Sequence, residues 1–471
     1  MRRAILLGFL ARYGCATAPG YRSSSVRPPS SFREDPHPLA PSPSGRGGTQ
    51  EGPAVSSAYW DQLGDTTLSR LVGEVLRGNL DVRSARARVS AARADRVRSV
   101  LDLTPSATLQ AGYSRQRLSS ASFPGAFGVF PDQSVWDAGA NASWDLDLFG
   151  GIRHTVQARG ALADVAQEDL RNVQVTLTAE VARAYFELRG AQEQLDVARR
   201  NAENQRRTFD LTKQRLDAGR GSSFDTERAQ AQLSSTLASI PAREAQVAAA
   251  QYRIGTLVGR APTEVARELE QIGQLPRLPE VTSIGAPETV VRYRPDVASA
   301  ERFAAAQGAL VGAAKASYLP RLTIGGSVGY AAPDFNSVGN QGTLRYVVGP
   351  VLTWPGLNLG RVKAEVDAAA AREDAARAQY GRVVLAAMED METSLARYRV
   401  ARLQVERLED ASAASERAAE LARMRFREGV TDFLQVLDAE RTELEAQDRL
   451  AQSRIDAATA YAALYKAAGG Q

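Results

Sequence analysis

The sequence has one cysteine, Cys15, so no disulfide can form within the chain. Histidine is almost as scarce: His37 and His154 lie far apart, a poor start for a metal centre. No uninterrupted apolar run reaches the ~18 residues of a membrane-crossing helix. Net charge is only +4, which gives no reason to expect nucleic acid. Phosphate-loop, zinc and paired-carboxylate constellations are missing. One Gly-x-Ser-x-Gly match exists, Gly325 to Gly329 around Ser327. It lies inside an alternating segment with no helix directly after it, so Ser327 is not read as a nucleophile. An enzyme, a resident metal and a cofactor are therefore not expected.

Proline is also absent from Gly151 to Leu216, and the stretch around that gap is written twice. Adding 210 to a residue number carries Trp144 to Trp354, Gly150 to Gly360, Leu211 to Leu421 and Arg215 to Arg425. The same step takes Gly219 to Gly429, Ala229 to Ala439 and Gly259 to Gly469. Each copy reads as a strand, a very long helix, a glycine turn and a returning helix: a duplicated strand–helix–helix unit in a mixed α and β chain. Apolar residues in the first long helix recur at steps of three and four, among them Val173, Leu177, Val181, Tyr185 and Leu188. At about 1.5 Å per residue each long helix is expected to reach roughly 100 Å. Such a helix needs parallel neighbours, as in a coiled coil or a barrel of helices.

The N-terminus reads as an export signal over residues 1–15. Arg2 and Arg3 precede a short apolar run, and Gly14-Cys15-Ala16-Thr17 has the form of a lipoprotein cleavage site with Arg12 where leucine is usual. Cys15 is thus a candidate for lipidation, a palmitate-type anchor, although one acyl chain holds a membrane only weakly. Residues 16–59 are rich in Ser, Pro and Gly and are expected to be disordered. The first repeat spans 60–259: short helices, strands 105–115 and 135–148, long helix 151–217 and return helix 223–258. Pro241 is expected to kink that return helix. A proline-containing connection follows over 260–290. The second repeat spans 291–471, with helix 295–317, strands 319–330 and 344–354, long helix 357–427 and return helix 432–467.

The four strands share a period of two. In the second, Trp136, Ala138, Ala140, Ala142 and Trp144 alternate with Asp137, Gly139, Asn141 and Ser143. Strands of about ten residues, with aromatics near their ends, suit a membrane-spanning sheet facing lipid on one side and water on the other. Open sheet edges cannot lie in hydrocarbon, and four strands are too few to close a barrel. The wall must be shared between chains, and the residues alone leave two, three or four copies open.

Arg292-Tyr293-Arg294-Pro295-Asp296-Val297, then Ala300-Glu301, then Val311-Gly312-Ala313-Ala314-Lys315-Ala316-Ser317-Tyr318-Leu319-Pro320, resembles the TolC-type outer membrane factor family. More narrowly, it is similar to the lipoprotein branch serving resistance-nodulation-division (RND) efflux systems. Leu148-Phe149-Gly150-Gly151 and the two helix–helix turns agree, and the resemblance runs from Trp60 to the C-terminus. It implies a homotrimer: a twelve-stranded transmembrane β-barrel in the outer membrane of a Gram-negative bacterium, lipid-anchored and continuing into a long periplasmic α-helical barrel. It implies passive conduction of substrates delivered by an inner membrane RND-type transporter and a periplasmic adaptor protein. Arg294, Pro295, Asp296 and Glu301 would form the family's structural motif. Arg215, Gly219, Arg425 and Gly429 would mark the tips that meet the adaptor. The aperture at that end would be lined by Asp438, with Gln435, Asp432 and Asp225 beside it. The family's second-repeat pattern is Asp-Val-Leu-Asp-Ala, and this chain has Gln435-Val436-Leu437-Asp438-Ala439, so half of the acidic charge is gone. Two alternatives remain at this point: the outer membrane duct of a type I protein secretion system, and a soluble coiled-coil scaffold.

Overall fold

The computed structural model describes residues 32–33, 58–119, 131–280 and 287–470. Cys15, the export signal and nearly all of the Ser/Pro/Gly-rich segment lie outside the described residues. In chain order the elements are α1 (Ala58–Asp61), α2 (Thr66–Gly78), α3 (Leu80–Leu101), β1 (Ser106–Gln116), β2 (Gln133–Asp145), α4 (Gly151–Asp217) and α5 (Ser223–Val258). Then come α6 (Pro262–Glu268), α7 (Pro287–Tyr293), α8 (Pro295–Ala316), β3 (Arg321–Ala332), β4 (Leu344–Thr353), α9 (Leu359–Arg427) and α10 (Phe433–Ala467). The chain is therefore mixed α and β, and mostly helical. Among the described residues no helix is long and apolar enough to cross a membrane.

The chain divides into two compact units. One, with Arg88–Ala166 and Ser299–Tyr380, holds a single antiparallel sheet in the order β1-β2-β3-β4. Its register explains the alternation in the sequence. Leu109, Ala140, Val328 and Tyr346 stand directly opposite one another across the four strands, so they share one face. That face is bare: Leu109 is 87% and Tyr346 73% exposed. The next row, Thr108, Asn141, Ser327 and Val347, belongs to the other face. There Arg345 pairs with Asp137, and the Asn141 amide donates to Gln110 at 2.9 Å. Ser327 is thus a mid-strand residue on the polar face.

Strand β2 stops at Asp145, short of the expected residue 148. Asp147 turns the chain with φ +42° and uses its carboxylate on the next helix, accepting from the Ile152 and Arg153 amides, both at 2.9 Å. These two bonds satisfy amides that a helix start leaves without a partner inside the helix. The duplicated tryptophans do duplicated work. Trp144 Nε1 donates to the Leu103 carbonyl at 2.9 Å and Trp354 Nε1 to that of Tyr318 at 3.1 Å.

The other unit contains Gln167–Ala298 and Gly381–Gln471 with the first short helices. Trp60 is completely buried, its ring 4.9 Å from Tyr465 and 6.2 Å from Phe186. The proline-containing connection carries α6 and α7, each opening on its proline, where φ is preset for a first helical residue. Helix α5 runs on through Pro241. Arg294 sits just before α8. Its guanidinium donates to Asp296 at 2.8 Å, to Asp390 at 3.1 Å and to the carbonyls of Ala467 and Ala387 at 3.1 and 3.4 Å. Burial alone would lower its pKa, but the two carboxylates outweigh it and the net shift is upward. Pro295 starts α8, and Asp296 in its first turn also accepts from the Val297 amide. Glu301, one turn further on, belongs to the other unit, where its charge acts on Tyr380.

Candidate functional site

The residues expected at the tips lie on two turns built alike. In the first, Gly219 has φ +69°; its amide donates to Leu216 at 2.9 Å, and that of Arg220 donates to Arg215 at 2.8 Å. In the second, Gly429 has φ +79°; its amide reaches Phe426 at 3.0 Å, and that of Val430 reaches Arg425 at 2.9 Å. A left-handed residue with this pair of bonds closes a helix by satisfying its last carbonyls, and glycine enters that conformation without a Cβ clash.

Both return helices start on a side-chain cap. Ser222 Oγ accepts from the Phe224 amide at 3.2 Å, one residue short of the Asp225 amide that a capping box would engage. Asp432 accepts from the Gln435 amide at 3.1 Å. Behind the turns, Phe426, Phe433, Val436 and Ala229 form a small buried cluster, with the two rings 5.7 Å apart. Because Phe433 and Val436 take the inward face of α10, Gln435 and Asp438 are left on its exposed face. Asp225 is half-buried in the first turn of α5.

Arg215 ties the first turn to the second. Its guanidinium donates to the carbonyls of Phe426 at 2.5 Å and Arg427 at 3.1 Å, and lies 4.3 Å from the centre of the Phe426 ring. A cation on the unsatisfied carbonyls at a helix C-terminus is favoured by the helix dipole as well as by the bonds. Its counterpart Arg425 is exposed.

The sequence reading missed what stands above this clamp. Gln194, Asn201 and Thr208 recur every seven residues along α4 and end at Arg215. They bond to α10: Gln194 to Gln452 at 3.2 Å, Asn201 to Gln447 at 2.8 Å, Thr208 to Glu440 at 2.7 Å. Polar residues at a heptad position fix register in a helical seam, and the spacing of seven was the available signal. Arg423 reaches Glu440 at 3.5 Å and Glu443 at 3.2 Å, and both carboxylates are nearly inaccessible. Burial raises the pKa of each. Thr208 and Arg423 pull that of Glu440 back, and Arg423 that of Glu443, without cancelling the shift.

Residues 71–260 and 287–470 match the family described as "Outer membrane efflux protein". Similar proteins include the pyoverdine export outer membrane protein OpmQ of Pseudomonas aeruginosa. It is 30% identical over 422 residues, covering 88% of this chain and 87% of the relative. Among solved structures, the outer-membrane channel OprN superposes with a TM-score of 0.86 at 35% identity, over 97% of this chain and 99% of OprN. The open state of the Neisseria gonorrhoeae MtrE outer membrane channel gives 0.80 at 25% identity, over 97% and 98%.

Proposed function

The chain belongs to the outer membrane efflux protein family, and from that premise we propose that three copies close a single duct. Members of the family are transport ducts and not enzymes, and this chain is an efflux channel of the Gram-negative outer membrane. That membership sets aside the soluble scaffold. In the proposed assembly, three four-stranded sheets make a twelve-stranded barrel in the membrane, and α4, α5, α9 and α10 of each copy make a helical barrel in the periplasm.

The observation that supports sharing between copies is the open sheet, and the number three is what the family resemblance implies. Among the described residues β1 and β4 each keep an unpaired edge, and a row of large apolar side chains is exposed between them. In hydrocarbon each unpaired backbone group costs several kcal/mol. Four strands are half of the ~8 in the smallest closed barrels, so the edges must meet those of further copies. The apolar face would then meet lipid, and the Arg345–Asp137–Gln110–Asn141 face would line water.

Channels of this family work with a periplasmic adaptor and an RND transporter. For this chain we assign the adaptor contact to the turns at Gly219 and Gly429, and the aperture to Asp438 with Gln435, Asp432 and Asp225. A lipid on Cys15 would add a second anchor beside the strands. Native mass of the detergent-extracted protein should correspond to three copies, with heat-dependent mobility on denaturing gels. A stable single chain that partitions into the aqueous phase would end the reading. Labelled palmitate should enter the wild type and not Cys15→Ser.

A further inference from the structure

One end of the sheet's apolar face carries more positive charge than it neutralises. On β1 the apolar side chains Ala107, Leu109, Ala111 and Tyr113 take alternate positions, and Arg115 is next on that face. Arg117 follows two residues on, just past the strand. Both arginines turn to one carboxylate, Asp132, which accepts from Arg115 Nη2 at 3.3 Å and from Arg117 Nε at 2.6 Å. Neither is covered: their side chains are 67% and 60% exposed. The sequence supplies no second carboxylate nearby. No charged residue lies between Arg117 and Asp132, and β4, the strand that the proposed barrel lays beside β1, has no acidic one. Asp334, on the connection between β3 and β4, is occupied by the Ser337 amide at 3.1 Å and hydroxyl at 2.9 Å. At the opposite ends of the strands the balance is one to one, Arg321 with Asp145 and Arg153 with Asp147.

Height decides what meets the two arginines. Trp136 and Trp144 stand on the apolar face of β2. At about 3.4 Å per residue and a tilt of about 40°, they bracket a band roughly 20 Å tall, near the ~25 Å apolar belt of a membrane barrel. Tyr113 lies beside Trp136, 4.7 Å between ring centres, with its hydroxyl 3.3 Å from Ser134 Oγ. Aromatic rings with a polar tip settle at the edge of hydrocarbon. Arg115 and Arg117 stand beyond that edge, at headgroup level, where the strands are joined by loops rather than by helices. In the proposed assembly that end faces the exterior.

We propose that Arg115 and Arg117 bind a phosphate group of the phosphorylated glycolipid in the outer leaflet, whose acyl chains lie over Tyr113 and Leu109. A guanidinium fork matches phosphate oxygens in pairs, and two of them leave one positive charge once Asp132 is counted. Three copies hold three such lipids around the barrel. The site rests on the barrel and the orientation proposed above, and names the lipid that its outer rim selects.

The test adds lipid A bearing two phosphates to the detergent-purified assembly and reads bound lipid by native mass spectrometry, beside dephosphorylated lipid A and phosphatidylglycerol. Three-chain masses carrying up to three lipid A molecules are expected. Arg115→Gln with Arg117→Gln should raise the concentration for half occupancy at least about tenfold, the scale of a lost charge-assisted hydrogen bond. Asp132→Asn, which releases both guanidiniums, should lower it. The same spectra report whether each variant still assembles. Equal retention of lipid A by wild type and the double arginine variant overturns the site, as does weaker retention by Asp132→Asn or equal retention of dephosphorylated lipid A. Phosphatidylglycerol held as tightly as lipid A, or lipid A displaced by an equal concentration of inorganic phosphate, overturns the assignment to the glycolipid. A wild-type mass of one chain removes the barrel and the site together.

Discussion

Glu440 and Glu443 face a single guanidinium, Arg423, from inside the hairpin pair. Burial holds both pKa values above the ordinary carboxylate range. Over the window between that range and the raised values, the folded protein binds more protons than the unfolded chain. Stability from this source is therefore full below the unfolded pKa and is lost as pH rises through the folded one. Other carboxylates contribute with the opposite sign, so the informative quantity is a difference. The thermal midpoint of Glu440→Gln minus that of wild type should be largest at neutral pH and shrink as pH falls towards the ordinary carboxylate range. A difference that is flat or grows on acidification contradicts the assignment. Gly190 is a second residue whose role is read from distance alone. A Cβ there would lie 2.0 Å from Ile455 Cγ1, because α4 approaches α10 backbone to side chain. Gly190→Ala should cost about 1–3 kcal/mol in urea unfolding, and Ile455→Ala in the same chain should restore most of it. Additive losses in the double variant would show that the two do not touch.

At the scale of elements, the same physics separates what the sequence displays from what it hides. The paired hairpins are legible because a repeat of 210 residues keeps every turn glycine in register, and Gly219, Gly259, Gly429 and Gly469 all have positive φ. The strands are legible because a half-exposed sheet alternates with period two. The end of β2 was not, since Asp147 reads equally well as a strand residue or as a cap and only the fold decides. The short helices α6 and α7 are not legible because seven residues show little apolar periodicity, although each opens on a proline, which is at home in a first turn. At the candidate site, Asp438 came only with the family pattern, whereas the glycine turns could be located from spacing. The ladder from Gln194 to Arg215 could not, because its partners lie more than two hundred residues away on α10. The Arg-Pro-Asp motif was legible as a motif and not as a mechanism. Arg294 gathers two carboxylates and two carbonyls from three separate stretches of chain. Arg294→Met should leave them without their partner, lowering stability by about 1–3 kcal/mol, since both carboxylates keep access to water. Lysine should rescue little, since its point charge cannot reproduce the guanidinium fork. Denaturant midpoints of the two variants check both statements; a midpoint for Arg294→Lys at the wild-type value would contradict the second.

For the whole molecule, the question is what three copies of one exposed carboxylate do to the ions passing between them. Asp438 stands on the outward face of α10 and Gln435 one turn earlier on the same face, because Phe433 and Val436 occupy the inward one. If threefold symmetry gathers Asp438, a ring of three negative charges forms in a narrow passage, where low-dielectric walls strengthen the local potential. Cations are concentrated there and anions repelled, as in other channels built with acidic rings. The same charges repel one another, so the ring favours cations without helping to hold the aperture shut. Asp438→Asn should then lower the cation-over-anion permeability ratio of the reconstituted channel by at least about twofold at low salt. Gln435→Asp should raise it by adding a second ring one turn away. Both effects should fade as ionic strength rises and the screening length falls towards ~3 Å at 1 M. Reversal potentials measured in a salt gradient read the ratio directly. Identical reversal potentials for wild type, Asp438→Asn and Gln435→Asp would mean that these side chains do not face the conducted ions, and the selectivity of the duct would have to be sought elsewhere along its wall.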